Sequence, residues 1–234
     1  MRKLEINNRR FLGSKYKLLN FIEDTVNEHC KDVKSVIDVF AGTGVVGSLF
    51  LKNGKEVYFN DYLKSNCYSY KAFYEPTKAD IKKLEEIINN YNDIEINEEN
   101  YFSENFSDTY FSSKDCKKIG YIRDNIENKF KKQEINEREK CILIASLIYS
   151  MDRVANTVGH YDAYRKIKNI KDKFFMYMLD VSEKGEKKSH ISNLDANEFI
   201  KTVKADLVYI DPPYNSRQYC DAYHLLENVA VWNK

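Results

Sequence analysis

The strongest constraint on the fold of this chain is the tetrad Asp211-Pro212-Pro213-Tyr214, which directly follows the apolar run of residues 206–210. The run predicts a buried strand. Two consecutive prolines cannot continue a central strand, because each lacks an N–H group and has a fixed φ. The strand must therefore end at Asp211, and its carboxyl end is where open α/β sheets bind ligands. A strand followed by a simple proline turn is the alternative interpretation.

A glycine-rich turn upstream predicts a second strand end of this kind. Residues 33–40 indicate a strand, and Gly42, Gly44 and Gly47 then match the G-x-G-x-x-G pattern at the start of a helix that extends to about Asn53. Glycines at these positions permit a tight turn and a close approach of the backbone to a ligand. A purely structural turn is the competing interpretation.

A further strand over residues 55–60 ends in Asp61. An acidic residue at this distance from the glycine turn suits the hydroxyl groups of a ribose. Together, the turn and the acid favour an adenosine cofactor of any kind, NAD included.

The N-terminal segment carries a third motif, Phe11-Leu12-Gly13-Ser14-Lys15. By itself this segment predicts an ordinary helix start, with Ser14 as the N-cap. Its significance comes from its position ahead of the glycine turn and the tetrad.

The order of the three motifs resembles that of Dam-like, alpha-group adenine-N6 DNA methyltransferases of restriction-modification systems, and the resemblance covers essentially the whole chain. It implies a Rossmann-like class I methyltransferase sheet and methyl transfer from S-adenosylmethionine to an adenine flipped out of double-stranded DNA. It also implies catalytic roles for Asp211, Pro212, Pro213 and Tyr214. The carboxylate accepts a hydrogen bond from the target amine, and the tyrosine stacks on the base.

The same resemblance implies the cofactor contacts. Phe11 and Lys15 occupy the places of the cofactor-binding aromatic and lysine residues of that family, with Lys15 near the methionine carboxylate. Asn193 and Asp195 follow a predicted strand over residues 189–192, where the family contacts the adenine ring of the cofactor; a helix N-cap is the alternative role. The predicted cofactor-binding residues are Phe11, Gly13, Lys15, Asp38, Phe40, Ala41, Gly42, Thr43, Gly44, Asp61, Asn193 and Asp195.

Residues 63–186 show helical periodicity and few strand signals, and the resemblance makes them the target-recognition region. The acidic residues 89–105 predict a surface loop. Basic runs over residues 114–132 and 165–173 are often only solvated helix faces, and the second run, after a polar loop, is the better candidate for contact with DNA. The predicted DNA-binding residues are Asn156, Thr157, His160, Tyr161, Arg165, Lys166, Lys168 and Arg217.

Composition limits the other partners. The 37 Lys and Arg residues oppose 36 Asp and Glu residues, giving a net charge of +1, so a DNA-binding protein must concentrate its positive charge locally. Five scattered cysteines and four histidines have no metal-ligand spacing, which predicts reduced thiols and no structural metal. A polar N-terminus and the lack of a long apolar run predict a cytoplasmic protein without a membrane segment.

The predicted catalytic domain comprises residues 1–62 and 187–234, with residues 63–186 as a mainly helical insertion. Its sheet should have the strand order 3-2-1-4, with the C-terminal strands missing. Strand 4 would then be an exposed apolar edge. We therefore expect a C-terminal segment or a second chain to complete it.

Three other functions stay open on the sequence alone. A cytosine-N4 or RNA amino-methyltransferase would use the same tetrad. An NAD oxidoreductase would use the glycine turn and Asp61 but leaves the tetrad unexplained. An inactive, truncated DNA-binding remnant would account for the short C-terminal part. In a restriction-modification system the cognate endonuclease is the functional partner, and no stable complex with it is implied.

Overall fold

The computed structural model describes residues 2–167, 169–213 and 219–234. Short 3₁₀ turns at Ile6–Asn8 and Tyr16–Leu18 precede the first helix. The helices are α1 (Leu19–His29), α2 (Val45–Lys52), α3 (Lys64–Tyr74), α4 (Ile81–Asp93), α5 (Tyr101–Phe106), α6 (Ser113–Lys131), α7 (Glu137–Val154), α8 (Ala196–Phe199), α9 (Tyr219–Ala222) and α10 (His224–Val231). The strands are β1 (Ser35–Asp38), β2 (Glu56–Asn60), β3 (Ser189–Ser192) and β4 (Leu207–Tyr209).

Within the described residues, these four strands form one parallel sheet in the order β3-β2-β1-β4, which confirms the predicted α/β class and strand order. Asp38, the last residue of β1, pairs with Phe59 of β2 and with Tyr209 of β4. Because parallel strands end at one edge of a sheet, the three segments that follow β1, β2 and β4 lie side by side. The predicted motifs are therefore brought to one place by the topology.

The sheet is buried in the middle and exposed at β4. Val36 and Ile37 of β1 are almost completely buried, as expected for a strand covered on both faces. Val208 and Ile210 are 39% and 65% exposed. The prediction of a buried strand over residues 206–210 is therefore wrong, because these two apolar side chains remain exposed at an edge strand of the described sheet. Completion of the sheet by a further segment stays a prediction.

Helix α7 forms the centre of the helical region that the periodicity of residues 63–186 predicts. Its first turn is closed by a capping box in which Asn136 and Glu139 bond each other's backbone N–H groups. The helix packs against α3, α6 and α10 and is buried from Cys141 to Asp152. One cluster of buried apolar side chains extends from the sheet into this region, so the division between catalytic and insertion parts at residues 62 and 187 stays a proposal.

The predicted acidic surface loop over residues 89–105 is wrong at both ends. Helix α4 continues to Asp93, because Tyr91 completes its buried face. Helix α5 begins after Asn100, whose Oδ1 accepts hydrogen bonds from the backbone N–H groups of Phe102 and Ser103 at 3.1 and 3.2 Å. Only residues 94–100 connect the two helices.

No helix in the described ranges combines the length and the apolar character that a membrane crossing requires. Cys30, Cys67, Cys116 and Cys141 are free thiols. Among the same residues, no group of three or more His, Cys, Asp and Glu side chains is arranged to hold a metal ion.

Candidate active site

A cleft of about 370 Å³ lies at the carboxyl ends of β1, β2 and β4. It collects residues from all three sequence motifs and from the segment after β3. The predicted residues that line it are Phe11, Gly13, Lys15, Asp38, Phe40, Ala41, Gly42, Thr43, Asp61, Asp195, Asp211, Pro212 and Pro213. Tyr214 lies outside the described residues.

Asp38 is a buried carboxylate at the floor of the cleft. Its Oδ2 accepts a hydrogen bond from the Gly47 N–H at 3.2 Å, while its Oδ1 has no hydrogen-bond partner among the described residues. Burial raises the pKa of Asp38 to about 7; the Gly47 N–H opposes this shift, and the nearby Asp61 and Asp211 add to it. A buried acceptor without a partner is costly, so this oxygen is suited to receive a donor from a ligand.

Asp61 fixes the glycine turn against the end of β2. Its Oδ2 accepts from the Gly42 N–H and its Oδ1 from the Leu63 N–H, both at 2.8 Å. Burial raises the pKa of Asp61 to about 6, although these two backbone groups and the amide of Asn66 lower it. The carboxylate therefore lies at the cleft in a rigid position.

Phe11 is held against the glycine turn and against the C-terminal helices. A Cβ added at Gly42, which has φ of +55°, would lie only 3.2 Å from the Phe11 ring. The ring also stacks on Tyr223, with centroids 4.7 Å apart, and the Leu12 N–H donates to the Tyr223 hydroxyl at 2.7 Å. Sequence reasoning missed Tyr223, because no local pattern pairs residues so far apart in the chain.

Lys15 bridges the N-terminal motif and the tetrad. Its Nζ contacts the Asp211 carboxylate and donates to the Gly13 carbonyl oxygen at 2.9 Å. Pro212 and Pro213 follow, are exposed, and line the cleft. The first and third motifs therefore meet through one ion pair.

The segment after β3 supports the cleft in two ways. The Asn193 Nδ2 donates to the backbone oxygens of Asp61 and Tyr62 at 2.8 and 2.9 Å, so Asn193 braces the end of β2. Asp195 caps α8 through the Asn197 N–H at 2.9 Å and also lines the cleft. Gly44 acts as the N-cap of α2, with φ of +77°, and it does not line the cleft.

A family model described as D12 class N6 adenine-specific DNA methyltransferase matches residues 11–234. The chain belongs to this family. Three relatives agree with the match. Modification methylase StsI of Streptococcus sanguinis is 37% identical over 94% of this chain and 36% of its own length. Type II methyltransferase M.FokI of Planomicrobium okeanokoites is 35% identical over 96% of this chain and 37% of its own length. Type II methyltransferase M.NlaIII of Neisseria lactamica is 34% identical over 95% of this chain and 69% of its own length.

The chain thus spans little more than a third of the first two relatives and about two thirds of the third. The description of this family names N6 of adenine in DNA as the position that its members methylate.

The polar loop after α7 is less open than its composition suggests. Asn156, Thr157, His160 and Tyr161 are all at least 92% buried. The Asn156 Nδ2 donates to the carbonyl oxygens of Thr109 and Arg165 at 3.1 and 2.8 Å, which closes the loop. Arg165 and Lys166 are exposed, whereas Lys168 and Arg217 lie outside the described residues.

The basic stretch over residues 114–132 behaves mostly as a solvated helix face. Lys114 pairs with Glu95, and Lys129 pairs with Glu134. Arg123 is different, because it is buried and its Nε donates to the Val229 carbonyl oxygen at 2.7 Å. DNA contact by this stretch or by the loop after α7 stays a prediction.

Sequence reasoning also missed several residues that line the cleft beside the predicted ones. Tyr62 and Leu63 follow Asp61 directly, so their position after a strand end was an available signal. Asn60 carries no such signal: its Nδ2 donates to the carbonyl oxygens of Val39 and Leu194, a contact created by packing.

Proposed function

We propose that this chain transfers a methyl group from S-adenosylmethionine to the N6 atom of adenine in double-stranded DNA, as a Dam-like, alpha-group enzyme. One observation carries the proposal: a single cleft holds Lys15, Asp38, Asp61 and Asp211. The relatives named as modification methylases and type II methyltransferases support a role in a restriction-modification system. A cytoplasmic location and functional pairing with a cognate endonuclease belong to the same proposal.

The residues of the cleft fit S-adenosylmethionine. The unpartnered Oδ1 of Asp38 is suited to the ammonium group of the methionine part. Asp61 can accept hydrogen bonds from the ribose hydroxyls, and Phe11 and Leu194 offer apolar surface to the adenine ring. When bound, the cofactor supplies an electrophilic methyl group. The chemistry that this chain must add is positioning and electrostatic stabilisation.

Asp211 is the residue that acts on the target amine. The lone pair of an aromatic amine is delocalised into its ring, so the nitrogen is a poor nucleophile. A carboxylate that accepts a hydrogen bond from the NH₂ group favours a tetrahedral nitrogen. It would also stabilise the positive charge that develops as the methyl group leaves sulfur for nitrogen, until the nitrogen loses a proton to solvent. The turn at Pro212 and Pro213 keeps this carboxylate at the strand end.

Lys15 prepares Asp211 for that task. Its ammonium contacts the Asp211 carboxylate. We assign Lys15 a second contact with the carboxylate of the cofactor, as the resemblance to the Dam-like enzymes implies. Movement of the ammonium toward the cofactor would free an oxygen of Asp211 for the target amine.

DNA contact and completion of the sheet are two further parts of the proposal. The exposed Arg165 and Lys166 are suited to phosphate contact, and the buried Asn156, Thr157, His160 and Tyr161 are suited to holding the loop in place. The exposed apolar side of β4 is suited to a further strand, from a C-terminal segment or a second chain.

The test of the proposal is methylation of plasmid DNA in cells that express the chain, measured base by base. We expect N6-methyladenine within one short sequence. Methylation of cytosine N4 alone, or of RNA alone, would overturn the substrate assignment.

The role of Asp211 is tested with the variant Asp211→Asn. The control is Asp206→Asn, at the opposite end of the same strand. Asp206 accepts bonds from the backbone of Lys34 and Ser35, away from the cleft. We expect Asp211→Asn to lower turnover by about 10²–10³-fold, with S-adenosylmethionine binding retained in calorimetry. Near-normal turnover of Asp211→Asn would contradict the mechanism.

A further inference from the structure

A buried ion pair joins the N-terminal motif to the helical region. Arg9 of the N-terminal segment lies with its Nε 3.6 Å from the Asp152 Oδ2 of α7, and the two side chains are 0% and 3% exposed. Removing two charges from water costs more than their attraction commonly returns, so such a pair is weak grounds for stability alone. The contacts that Arg9 and Asp152 make with other residues indicate a role beyond stability.

On one side, Arg9 supports the wall of the cleft. Its Nη1 donates to the Asn66 Oδ1 at 2.6 Å. The Asn66 N–H donates to the Leu63 carbonyl oxygen at 3.2 Å, and the Leu63 N–H donates to the Asp61 Oδ1 at 2.8 Å. The guanidinium carbon also lies 5.7 Å from the centre of the Phe11 ring. Both Phe11 and Asp61 line the cleft.

On the other side, the ion pair holds the loop after α7. The Asp152 Oδ1 accepts a hydrogen bond from the Tyr161 hydroxyl at 2.9 Å. The Tyr161 N–H donates to the Ala222 carbonyl oxygen at 2.8 Å, and its own carbonyl oxygen accepts from the Tyr110 hydroxyl at 2.6 Å. This loop carries the exposed Arg165, and none of its described residues lines the cleft.

We propose that Arg9 is a positioning residue that couples cofactor binding to the order of the loop around Tyr161. The inference rests on the proposed function, because it takes S-adenosylmethionine as the ligand of the cleft. Its physical basis is one continuous buried run of contacts, Asn66–Arg9–Asp152–Tyr161. Hydrogen bonds form the first and last links, and the middle link is the ion pair at 3.6 Å, whose two facing atoms have no hydrogen-bond partner among the described residues. Ordering the cleft wall then orders a loop that the cofactor does not touch, and by reciprocity a ligand of the loop strengthens cofactor binding.

Hydrogen exchange tests the coupling without any turnover. In the wild-type protein, S-adenosylmethionine should slow amide exchange in the peptide spanning residues 155–165, at least about fivefold. Tyr161→Phe removes only the hydroxyl and Asp152→Asn keeps the side-chain shape, and both should lose this protection while still binding the cofactor in calorimetry. Arg10→Lys changes the exposed neighbouring arginine and should keep it.

A second measurement separates coupling from a merely structural role. The dissociation constant of S-adenosylhomocysteine, which cannot turn over, is measured with and without saturating unmethylated plasmid DNA. The ratio of the two constants should differ from one in the wild type and approach one in Tyr161→Phe and Arg9→Lys. A structural role predicts a lower melting temperature with the ratio unchanged.

The inference is overturned if the wild type binds the cofactor without protecting residues 155–165, or if Tyr161→Phe keeps both the protection and the ratio. Failure of the wild type to bind S-adenosylmethionine in calorimetry would instead overturn the proposed function, and the inference with it. The two failures are therefore distinguishable.

Discussion

At the scale of single residues, Asp38 is a carboxyl group in an environment that disfavours its charged form. Asp38 is buried beside Asp61 and Asp211, and its Oδ1 lacks a partner among the described residues. Such strain at a binding site is expected where a ligand relieves it. Asp38 should therefore lower the stability of the free protein and raise its affinity for a cationic ligand.

The substitution Asp38→Asn tests the effect of Asp38 on stability, through the dependence of the free energy of unfolding on pH. The folded-state pKa of Asp38 is about 7, above the ordinary value, so the folded protein holds a proton that the unfolded chain releases between about pH 4 and 7. The stability of the wild type must then fall as pH rises through that window. Asp38→Asn does not titrate, and its free energy of unfolding should gain about 2–4 kcal/mol relative to the wild type between pH 4 and 8. Urea denaturation at several pH values measures the difference.

Asp206→Asn is the control, because the carboxylate of Asp206 should change stability with pH in the opposite direction. Hydrogen bonds from Lys34 and Ser35 lower the pKa of Asp206, so this carboxylate contributes stability above its ordinary pKa and loses it as the pH falls. Asp38→Asn should also weaken binding of S-adenosylmethionine at pH 8. A variant that follows the wild-type pH profile would show that Asp38 is not the strained group.

At the scale of elements, the glycine turn and α2 are set by how closely the helix approaches β2. A Cβ added at Gly47 would lie 2.1 Å from the ring of Phe59, which is completely buried. Gly47 also donates its N–H to Asp38. The third glycine of the pattern is therefore required by packing of the helix on the sheet.

We expect Gly47→Ala to destabilise the protein by about 1–3 kcal/mol or more, because the buried ring must move. Gly54→Ala is the matched control: its φ is +75°, but an added Cβ would have nothing within 4 Å, so only backbone strain of about 1–2 kcal/mol applies. Chemical denaturation compares the two. Because displacement of Gly47 disturbs Asp38, only Gly47→Ala should also weaken cofactor binding; equal binding in both variants would contradict the close approach.

The loop after α7 is the second element with a testable role. Replacing Arg165 and Lys166 by alanine should weaken DNA binding equally on all sequences, because phosphate contacts carry no sequence information. The slope of log affinity against log salt should decrease by about 1–2. Fluorescence anisotropy with two unrelated duplexes over a salt series measures both effects.

Lys114 and Lys129 of α6 supply the control, since each already pairs with a glutamate. Their double alanine variant should keep the slope of the wild type. If the Arg165 and Lys166 variant keeps the wild-type slope of log affinity against log salt, these two residues are solvated and make no phosphate contact.

At the scale of the whole molecule, the described sheet has two edge strands, β3 and β4, and apolar side chains are exposed at β4. Val208 and Ile210 expose apolar surface at β4, the outer strand of the described sheet. An open apolar strand edge pairs readily with other chains. This edge should therefore dominate the self-association of the 234-residue chain.

Ile210→Lys should lower concentration-dependent association, measured by light scattering, without lowering the melting temperature. Phe21→Lys is the matched control, because Phe21 is also a well-exposed apolar residue but lies on α1. A larger effect from Phe21→Lys would show that α1, and not β4, provides the surface for self-association. A segment that pairs with β4 should suppress association in the wild type as well.

The sequence by itself determined the buried helix α7 and the strand ends at Asp61 and Asp211. Paired prolines after an apolar run, glycines after a strand and apolar residues at helical spacing are local constraints, and each acts within a few residues of itself. The strand order and the place of Lys15 beside the tetrad were predicted from the resemblance to the Dam-like enzymes, not from these patterns.

Only the tertiary structure decided which polar side chains support the cleft and which remain exposed. The stacking of Phe11 on Tyr223, the contact of Arg9 with Asp152 and the burial of Tyr161 join residues from distant parts of the chain. Such contacts depend on how helices pack against the sheet and against one another. No local pattern encodes that packing. The residue type alone does not show whether a tyrosine is buried and bonded to a carboxylate or exposed in a binding loop.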